Sequence, residues 1–324
     1  MAKEQSKVAE NKSEIVTEVP MACADELAAV EFFEKHRWGD TGPCCPRCGS
    51  TNVYQMMNTK GGGGRNERFL WRCRECPKAS SQYTVRIGTV MEDSRIPLRF
   101  WALALWLACS SKKGVSAKQI QRQSGLSYKS ALFLMHRIRF AMAPANGRDG
   151  GKLTGTVEVD ESFIGGKPRY KSPHNPRGTK GKQPVVGMVE RQGRVRVRVA
   201  ADITAKTLKQ AIRDHVDKSA HIMTDEHAGY KGIDSEFASH QYVAHARREY
   251  VRGDVTTNTI ESFWAIMKRG IYGVYHNVSR KHLQRYLDEF EFRYNHRKVD
   301  DGARTLAAIK GAVGKKLVYT DPAN

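Results

Sequence analysis

The stretches "CPRC" and "CREC" constrain this chain most. They place Cys45 with Cys48 and Cys73 with Cys76, with 24 residues between the pairs. Two such knuckles, one on each side of a hairpin, supply four thiolates tetrahedrally to Zn²⁺. Gly49 follows the first knuckle and Pro77 the second, and the run "NTKGGGGRNER" accounts for the long spacer as a hairpin tip. Cys44 is an adjacent spare, but the two-residue gap favours Cys45, while Cys23 and Cys109 read as ordinary core residues. Four cysteines close a zinc site to substrate, so the metal is a folding element for a segment too small to hold itself together. The expectation is a zinc ribbon over 21–95, including the preceding helix "DELAAVEFFEKHRW". Arg47, Arg65, Arg68, Arg72 and Arg74 are either offered to DNA or a partner, or form a solvated face.

Charge narrows the partner. The chain of 324 residues carries a formal net charge of +20. The first 40 residues hold five basic and nine acidic side chains, which leaves about +24 on the remainder. A basic body of this size suits a polyanion, most simply double-stranded DNA. No apolar run approaches the roughly 20 residues that cross a bilayer; "FWALALWLAC" at 100–109 is too short. The N-terminus lacks the apolar core of a signal peptide, so the expected location is the cytoplasm, where the seven cysteines stay reduced.

The chain divides by pattern. Residues 1–20 are polar and read as a disordered lead-in. Residues 96–143 are helical: Pro97 suits a first position, Ser116 with Gln119 forms a capping box, Gly125 marks a turn, and Ser127 opens the next helix. Helix, short turn, helix reads as a helix-turn-helix-like DNA-binding segment or as an ordinary helical hairpin. In the first case Ser127, Tyr128, Lys129 and Ser130 lead the second helix, and Lys112, Lys113, Lys118 and Arg122 are placed for phosphates. Residues 144–152 are a linker, and strands begin at 153. The order three strands, helix, strand, connection, strand, helix matches a ribonuclease-H-like α/β domain with a mixed sheet over 153–312. "HQYVAHARREY" (240–250) reads as its last strand.

The chemistry lies in scattered carboxylates. "TVEVDESFIGG" ends its strand on Asp160, either as a polar strand end or as part of a metal site. "MTDEH" puts Asp225 at the end of a later buried strand, and "TTNTIESFWAIMKRG" puts Glu261 near a helix start. Three carboxylates that converge repel one another unless cations bind, and two Mg²⁺ ions suit such a cluster and phosphodiester cleavage. Lys268 lies two turns after Glu261 on the same face, and Asn258 three residues before it. Glu161 and Glu226 follow the key aspartates and read as supporting residues. "GGKPRYKSPHNPRGTKGK" at 165–182 holds six Lys/Arg and no acid, so Lys167, Arg169 and Lys171 are candidates for a DNA backbone. Arg194, Arg196 and Arg198 share one strand face, which is either a DNA surface or a solvated one.

The stretches "CPRCGS", "WRCRECPKASSQYTVRIGTVMEDSRIPLRFW", "VEVDESFIGGK", "TDEHAGY" and "NTIESFWAIMKRGIYGVYHNVSRKHLQRYLDEFEFRYNHR" resemble bacterial insertion-sequence transposases of the ISXO-like group, which have an N-terminal zinc ribbon and a DDE-type catalytic domain. The resemblance covers roughly residues 25–312. It implies Asp160, Asp225 and Glu261 as a triad holding Mg²⁺ or Mn²⁺, with Lys268 after it. Some members are described with Asn as the third key residue, which leaves Asn258 and Glu261 both in play. It further implies binding to the inverted repeats at the ends of an insertion sequence, DNA cleavage and strand transfer, a homo-oligomer (at least a dimer on DNA) and association with the nucleoid. A zinc-ribbon DNA-binding regulator, or a structure-specific nuclease of the same fold, are the alternatives.

Overall fold

The computed structural model describes residues 15, 17–58, 64–144, 150–166 and 181–317. They form two compact units, one from the chain up to Met142 together with the residues from Val299 onward, the other from Ala143 to Lys298.

The first unit begins with a helix that the composition hid. Residues 17–24 are helical (α1), and Ile15, Val19 and Ala22 are buried along one side. This corrects the expected disordered lead-in over its last residues: an apolar residue every third or fourth position is enough to dock a polar helix. Helix α2, Glu26–Trp38, starts where Asp25 accepts the Ala28 N–H at 2.8 Å and buries Phe32 and Phe33. The ribbon follows as three short antiparallel strands in order β1 (Val53–Gln55), β2 (Trp71–Cys73) and β3 (Gln82–Tyr83). The centre of the expected glycine-rich tip, residues 59–63, lies outside the described residues. Arg47 donates to the Ser80 and Gln82 carbonyls, and Arg65 pairs with the nearly buried Glu34, so these two arginines brace the ribbon. Arg68 and Arg74 are exposed.

Three helices come next: α3 (Leu98–Ser110), α4 (Ala117–Ser124) and α5 (Tyr128–Met142). The caps are local chemistry. Ser116 Oγ accepts the Gln119 N–H at 3.2 Å, Gly125 closes α4 at φ 73°, and Ser127 Oγ accepts the Ser130 N–H at 3.2 Å. The unit is completed by a helix from the end of the chain, Asp301–Lys310, packed with α2, α3 and α5. The sequence pattern predicts a catalytic segment that extends to 312. Buried Thr305, Ala308 and Ile309 instead send the residues after Lys298 back to the first unit.

The second unit is built on a five-stranded mixed sheet. Its strands are β4 (Thr156–Ile164), β5 (Gln183–Glu190), β6 (Val195–Val199), β7 (His221–Thr224) and β8 (Ser239–Tyr242), in order β6-β5-β4-β7-β8. The first three are antiparallel; β7 and β8 add in parallel. Helix α6 (Ala205–His215) packs Leu208 and Ile212 on one face with Val157, Val159 and Met188. Helices α7 (Asn258–Gly270) and α8 (Leu283–Asn295) cover the other through Ile260, Trp264, Leu287 and Phe290. The strand expected over 240–250 stops at Tyr242, because Glu226 and Glu249 accept N–H groups at 244–246 and fold the chain into a loop.

One sheet edge is sealed by side chains. Asn295, Glu291 and Gln284 of α8 accept the N–H groups of Val195, Val197 and Val199 at 2.8, 3.0 and 2.9 Å, in place of another strand. Glu291 also pairs with Arg196 at 2.7 Å and Arg198 at 2.8 Å. Arg196 is buried, Arg198 is half-buried, and Arg194 donates to the Lys152 carbonyl, so the "RVRVRV" arginines make neither a DNA face nor a solvated one.

Candidate active site and metal centre

The four cysteine sulfurs of the ribbon converge, all within 4.8 Å of one another. The contacts Cys45–Cys76, Cys48–Cys73 and Cys48–Cys76 are 3.7, 3.6 and 3.5 Å. Sulfurs at ~2.3 Å from a tetrahedral Zn²⁺ stand about 3.8 Å apart, so the quartet fits zinc. Burial raises the Cys45 thiol, but N–H groups of Arg47 and Cys48 outweigh it and bring it to about 7. Cys76, led by its contact with Cys48, is pushed up to about 12. Thiolates this close need a cation to share. Cys44 stands outside the quartet.

The second site lies where the sheet splays. Strand β4 pairs with β5 as far as Ile164 but with β7 only from Thr156 to Glu158. Asp160 therefore does not end its strand, as the sequence suggested; it stands just past the end of the β7 pairing. Asp225 follows directly on β7. The gap between them opens a cleft of about 590 Å³ lined by Asp160, Glu161, Asp225, Glu261 and Lys268, with His245 among its walls. Glu161 accepts the Tyr230 hydroxyl at 2.5 Å and also borders the cleft.

Electrostatics mark this cleft. Burial, then the charges of Glu161 and Asp225, push the Asp160 carboxyl up to about 7, against hydrogen bonds from the Glu161 N–H and from Trp264 Nε1, the latter at 2.9 Å. Burial, followed by Asp225, raises Glu161, although Tyr230 holds its carboxylate. Burial lowers Lys268, while Asp160 pulls the other way. Glu261 stands more open, its side chain 45% exposed, with Oε1 receiving the Thr257 hydroxyl at 3.1 Å and lying 3.7 Å from His245 Nε2. Among the described residues only the cysteine quartet has its donors within 4.8 Å of one another; the carboxylates surround a wider space. Asn258 is exposed at the first position of α7 and is not part of the cleft wall.

Two residues that build this cleft were invisible in the sequence. Glu158 is fully buried and accepts the Thr259 and Ile260 N–H groups at 2.8 and 3.1 Å, the Thr259 hydroxyl at 2.9 Å and Arg191 Nε at 2.9 Å. A carboxylate on the free N–H groups and positive end of α7 fixes the turn that carries Glu261. Gly187 sits opposite Asp160 on β5; a Cβ there would meet Trp264 at 2.6 Å and displace the indole that holds Asp160. Glu158→Gln is expected to cost about 3–5 kcal/mol, because it leaves Arg191 and the helix end without their buried anion. That corresponds to a fall of roughly 10 °C in the melting temperature of the second unit. A shift under about 2 °C in a thermal melt would show that the carboxylate's charge is not what anchors α7.

Lys118, Arg122 and Lys129 are exposed on α4 and α5, and Lys118 Nζ lies 4.7 Å from the Tyr128 ring centre. Lys167, Arg169 and Lys171 lie outside the described residues. No helix of the described residues is long and apolar enough to cross a membrane.

A cysteine-built ribbon joined to a mixed-sheet unit with an acidic cleft is the make-up of a multidomain transposase. Residues 152–295 match the family model for the ISXO2-like transposase domain, and residues 24–79 match that for the transposase zinc-ribbon domain. The chain belongs to this ISXO-like transposase family. It is 29% identical over 283 residues to an uncharacterized protein in transposable element ISH50 of Halobacterium salinarum, covering 83% of this chain and 90% of that one. Among solved structures, a simian T-cell lymphotropic virus intasome in complex with PP2A regulatory subunit B56 gamma aligns at 14% identity and a TM-score of 0.28. That alignment covers 59% of this chain, which spans 64% of the length of the other.

Proposed function

We infer that this protein cuts the DNA at the ends of its own insertion sequence and joins those ends to a target. The observation that carries the reading is the single cleft into which a strand, a strand end and a helix send Asp160, Asp225, Glu261 and Lys268. The sheet order, three antiparallel strands followed by two parallel ones, suits a ribonuclease-H-like catalytic domain. Asp160, Asp225 and Glu261 would hold Mg²⁺ or Mn²⁺, which would stabilise charge on the attacking and leaving oxygens of a phosphodiester. Burial, together with the charges of Glu161 and Asp225, pushes Asp160 up to about 7, and a bound cation would offset both costs of its charged form. Lys268, partly desolvated beside Asp160, grips a phosphate of the cut strand. Glu261 rather than Asn258 is the third ligand, because Glu261 lines the cleft and Asn258 does not.

The terminal repeats are held by the ribbon and the α3–α5 segment, with Lys118, Arg122 and Lys129 on phosphates, and Lys167, Arg169 and Lys171 also bind the DNA backbone. Water attacks the phosphorus at the element end first, breaking the P–O3′ bond and leaving a 3′-hydroxyl on the element and a 5′-phosphate on the flank; that hydroxyl then attacks a phosphodiester of the target, forming a new P–O bond and releasing the target strand's own 3′-hydroxyl. Joining two ends together calls for at least a dimer on DNA. The protein works on the nucleoid in the cytoplasm.

A strand-transfer assay tests this. With Mg²⁺, a labelled duplex carrying the terminal repeat that borders the coding region, already cut to expose its 3′-hydroxyl, is expected to become joined to plasmid DNA. Cutting without joining would identify a nuclease of the same fold, and binding without either would identify a regulator.

A further inference from the structure

A second pocket, of about 480 Å³, shares Asp225 and Glu226 with the cleft and is lined by His240 and Tyr242 of β8. Strand β8 is the sheet edge that α8 does not seal, and its last residue, Tyr242, pairs with Thr224, the residue before Asp225. Tyr242 thus stands one strand spacing, roughly 4.8 Å, from the backbone that delivers Asp225. Tyr242 is 48% exposed. His240 packs against it at 6.4 Å between ring centres and is itself tied to the Thr224 hydroxyl at 2.9 Å. Arg252 donates to the Tyr242 carbonyl at 2.9 Å and stands 6.0 Å from the ring centre.

The acids and the bases of this pocket have different duties. Glu226 is occupied by the His245 and Ala246 N–H groups, and Glu249 by that of Ala244. Both are used in folding the loop that walls the pocket off from the cleft. Lys231 and Arg247 line the same pocket, and among the described residues their side chains have no hydrogen-bonding or ionic partner. An aromatic face flanked by an arginine, with two uncommitted cations nearby, suits a base and its phosphate. Duplex DNA presents no free base face, so the occupant must be unstacked.

We propose that this pocket receives one unstacked nucleotide of the strand being cut, next to the scissile phosphate, with its base on Tyr242 and its phosphate on Lys231 and Arg247. The inference rests on the reading that the neighbouring cleft cuts DNA. It assigns Tyr242 a binding role, and it explains why an edge strand ends in an exposed aromatic beside a catalytic carboxylate.

The test is a double cycle on the full chain. The probes are terminal-repeat duplexes that span the cleavage point, either intact or with one abasic site at each flanking position in turn. Base stacking predicts that Tyr242→Ala weakens binding of the intact duplex roughly tenfold, and that one abasic position weakens wild-type binding by a similar factor. The two losses together should not exceed either alone, and Tyr242→Phe should restore binding to the intact duplex. Losses that multiply, or no flanking position that is sensitive in the wild type, overturn the proposal. Because Tyr242 is half exposed at a strand end, an unchanged melting temperature is expected for both variants. Wild-type cleavage of the intact duplex is read in the same samples. If the wild type cuts but the cycle is multiplicative, the pocket assignment alone fails; if it does not cut, the cleft reading fails first.

Discussion

Asp160→Asn is expected to reduce cleavage of terminal-repeat DNA at least ~100-fold, about 2.7 kcal/mol of lost transition-state stabilisation. The metal-free protein should at the same time become more heat-stable. Asp160 is raised from the ordinary carboxylate range, near 3.9, to about 7 by burial and by its neighbours Glu161 and Asp225. A group with a raised folded-state pKa costs nothing below its unfolded value, where it is neutral in both states. The cost grows as pH rises and is complete above about 7. Three units at ~1.4 kcal/mol each set a ceiling of roughly 4 kcal/mol. The variant's advantage in a melting curve should therefore be largest at pH 8, on the order of 5–10 °C, and vanish near pH 4.

Mg²⁺ should reverse the ranking: millimolar metal raises the wild-type melting temperature and leaves that of Asp160→Asn nearly unmoved. Lys268→Ala separates binding from metal, since it should weaken end binding and rate yet keep the Mg²⁺-induced shift. Cleavage by Asp160→Asn within tenfold of the wild type would remove Asp160 from the chemistry. Parallel melting profiles across pH would show that its carboxylate is not strained by its neighbours.

The sequence yielded what local chemistry decides. The cysteine spacing, the Ser116 and Ser127 caps, the Gly125 turn and an acid directly after a buried strand each depend on residues a few positions apart. What it hid depends on pairs about a hundred residues apart. Glu158 meets Thr259, and Glu291 meets Arg196, only once the sheet and helices have assembled. Helices cover both faces of this sheet, so Glu158 is a buried partner of α7 and the "RVRVRV" arginines are not the surface that their alternation suggested. Glycine at 187 gave no signal in one dimension, because its reason is an indole on a helix far along the chain.

The second large effect concerns the ribbon, whose own core is slight. Its three strands have two or three residues each, and Trp71 and Tyr83 are the main apolar side chains on them. Each knuckle is shaped by the chain itself. The Gly49 N–H reaches the Cys45 carbonyl at 2.9 Å with φ at 74°, a conformation that favours glycine. Such a frame preorganises four thiols but cannot hold them against their mutual repulsion. Zinc does so, with a binding free energy of roughly 10–16 kcal/mol that is also folding free energy. The purified, reduced protein should contain one Zn²⁺ per chain by elemental analysis. Cys73→Ser should release it and make residues 43–85 sensitive to protease, while Cys44→Ser keeps both metal and protection, because Cys44 lies outside the quartet. The second unit carries its own core, so its melting transition should survive the loss of zinc. A reduced protein free of zinc whose ribbon still resists protease would show that strand pairing and Trp71 suffice, and the four thiols would then need another explanation.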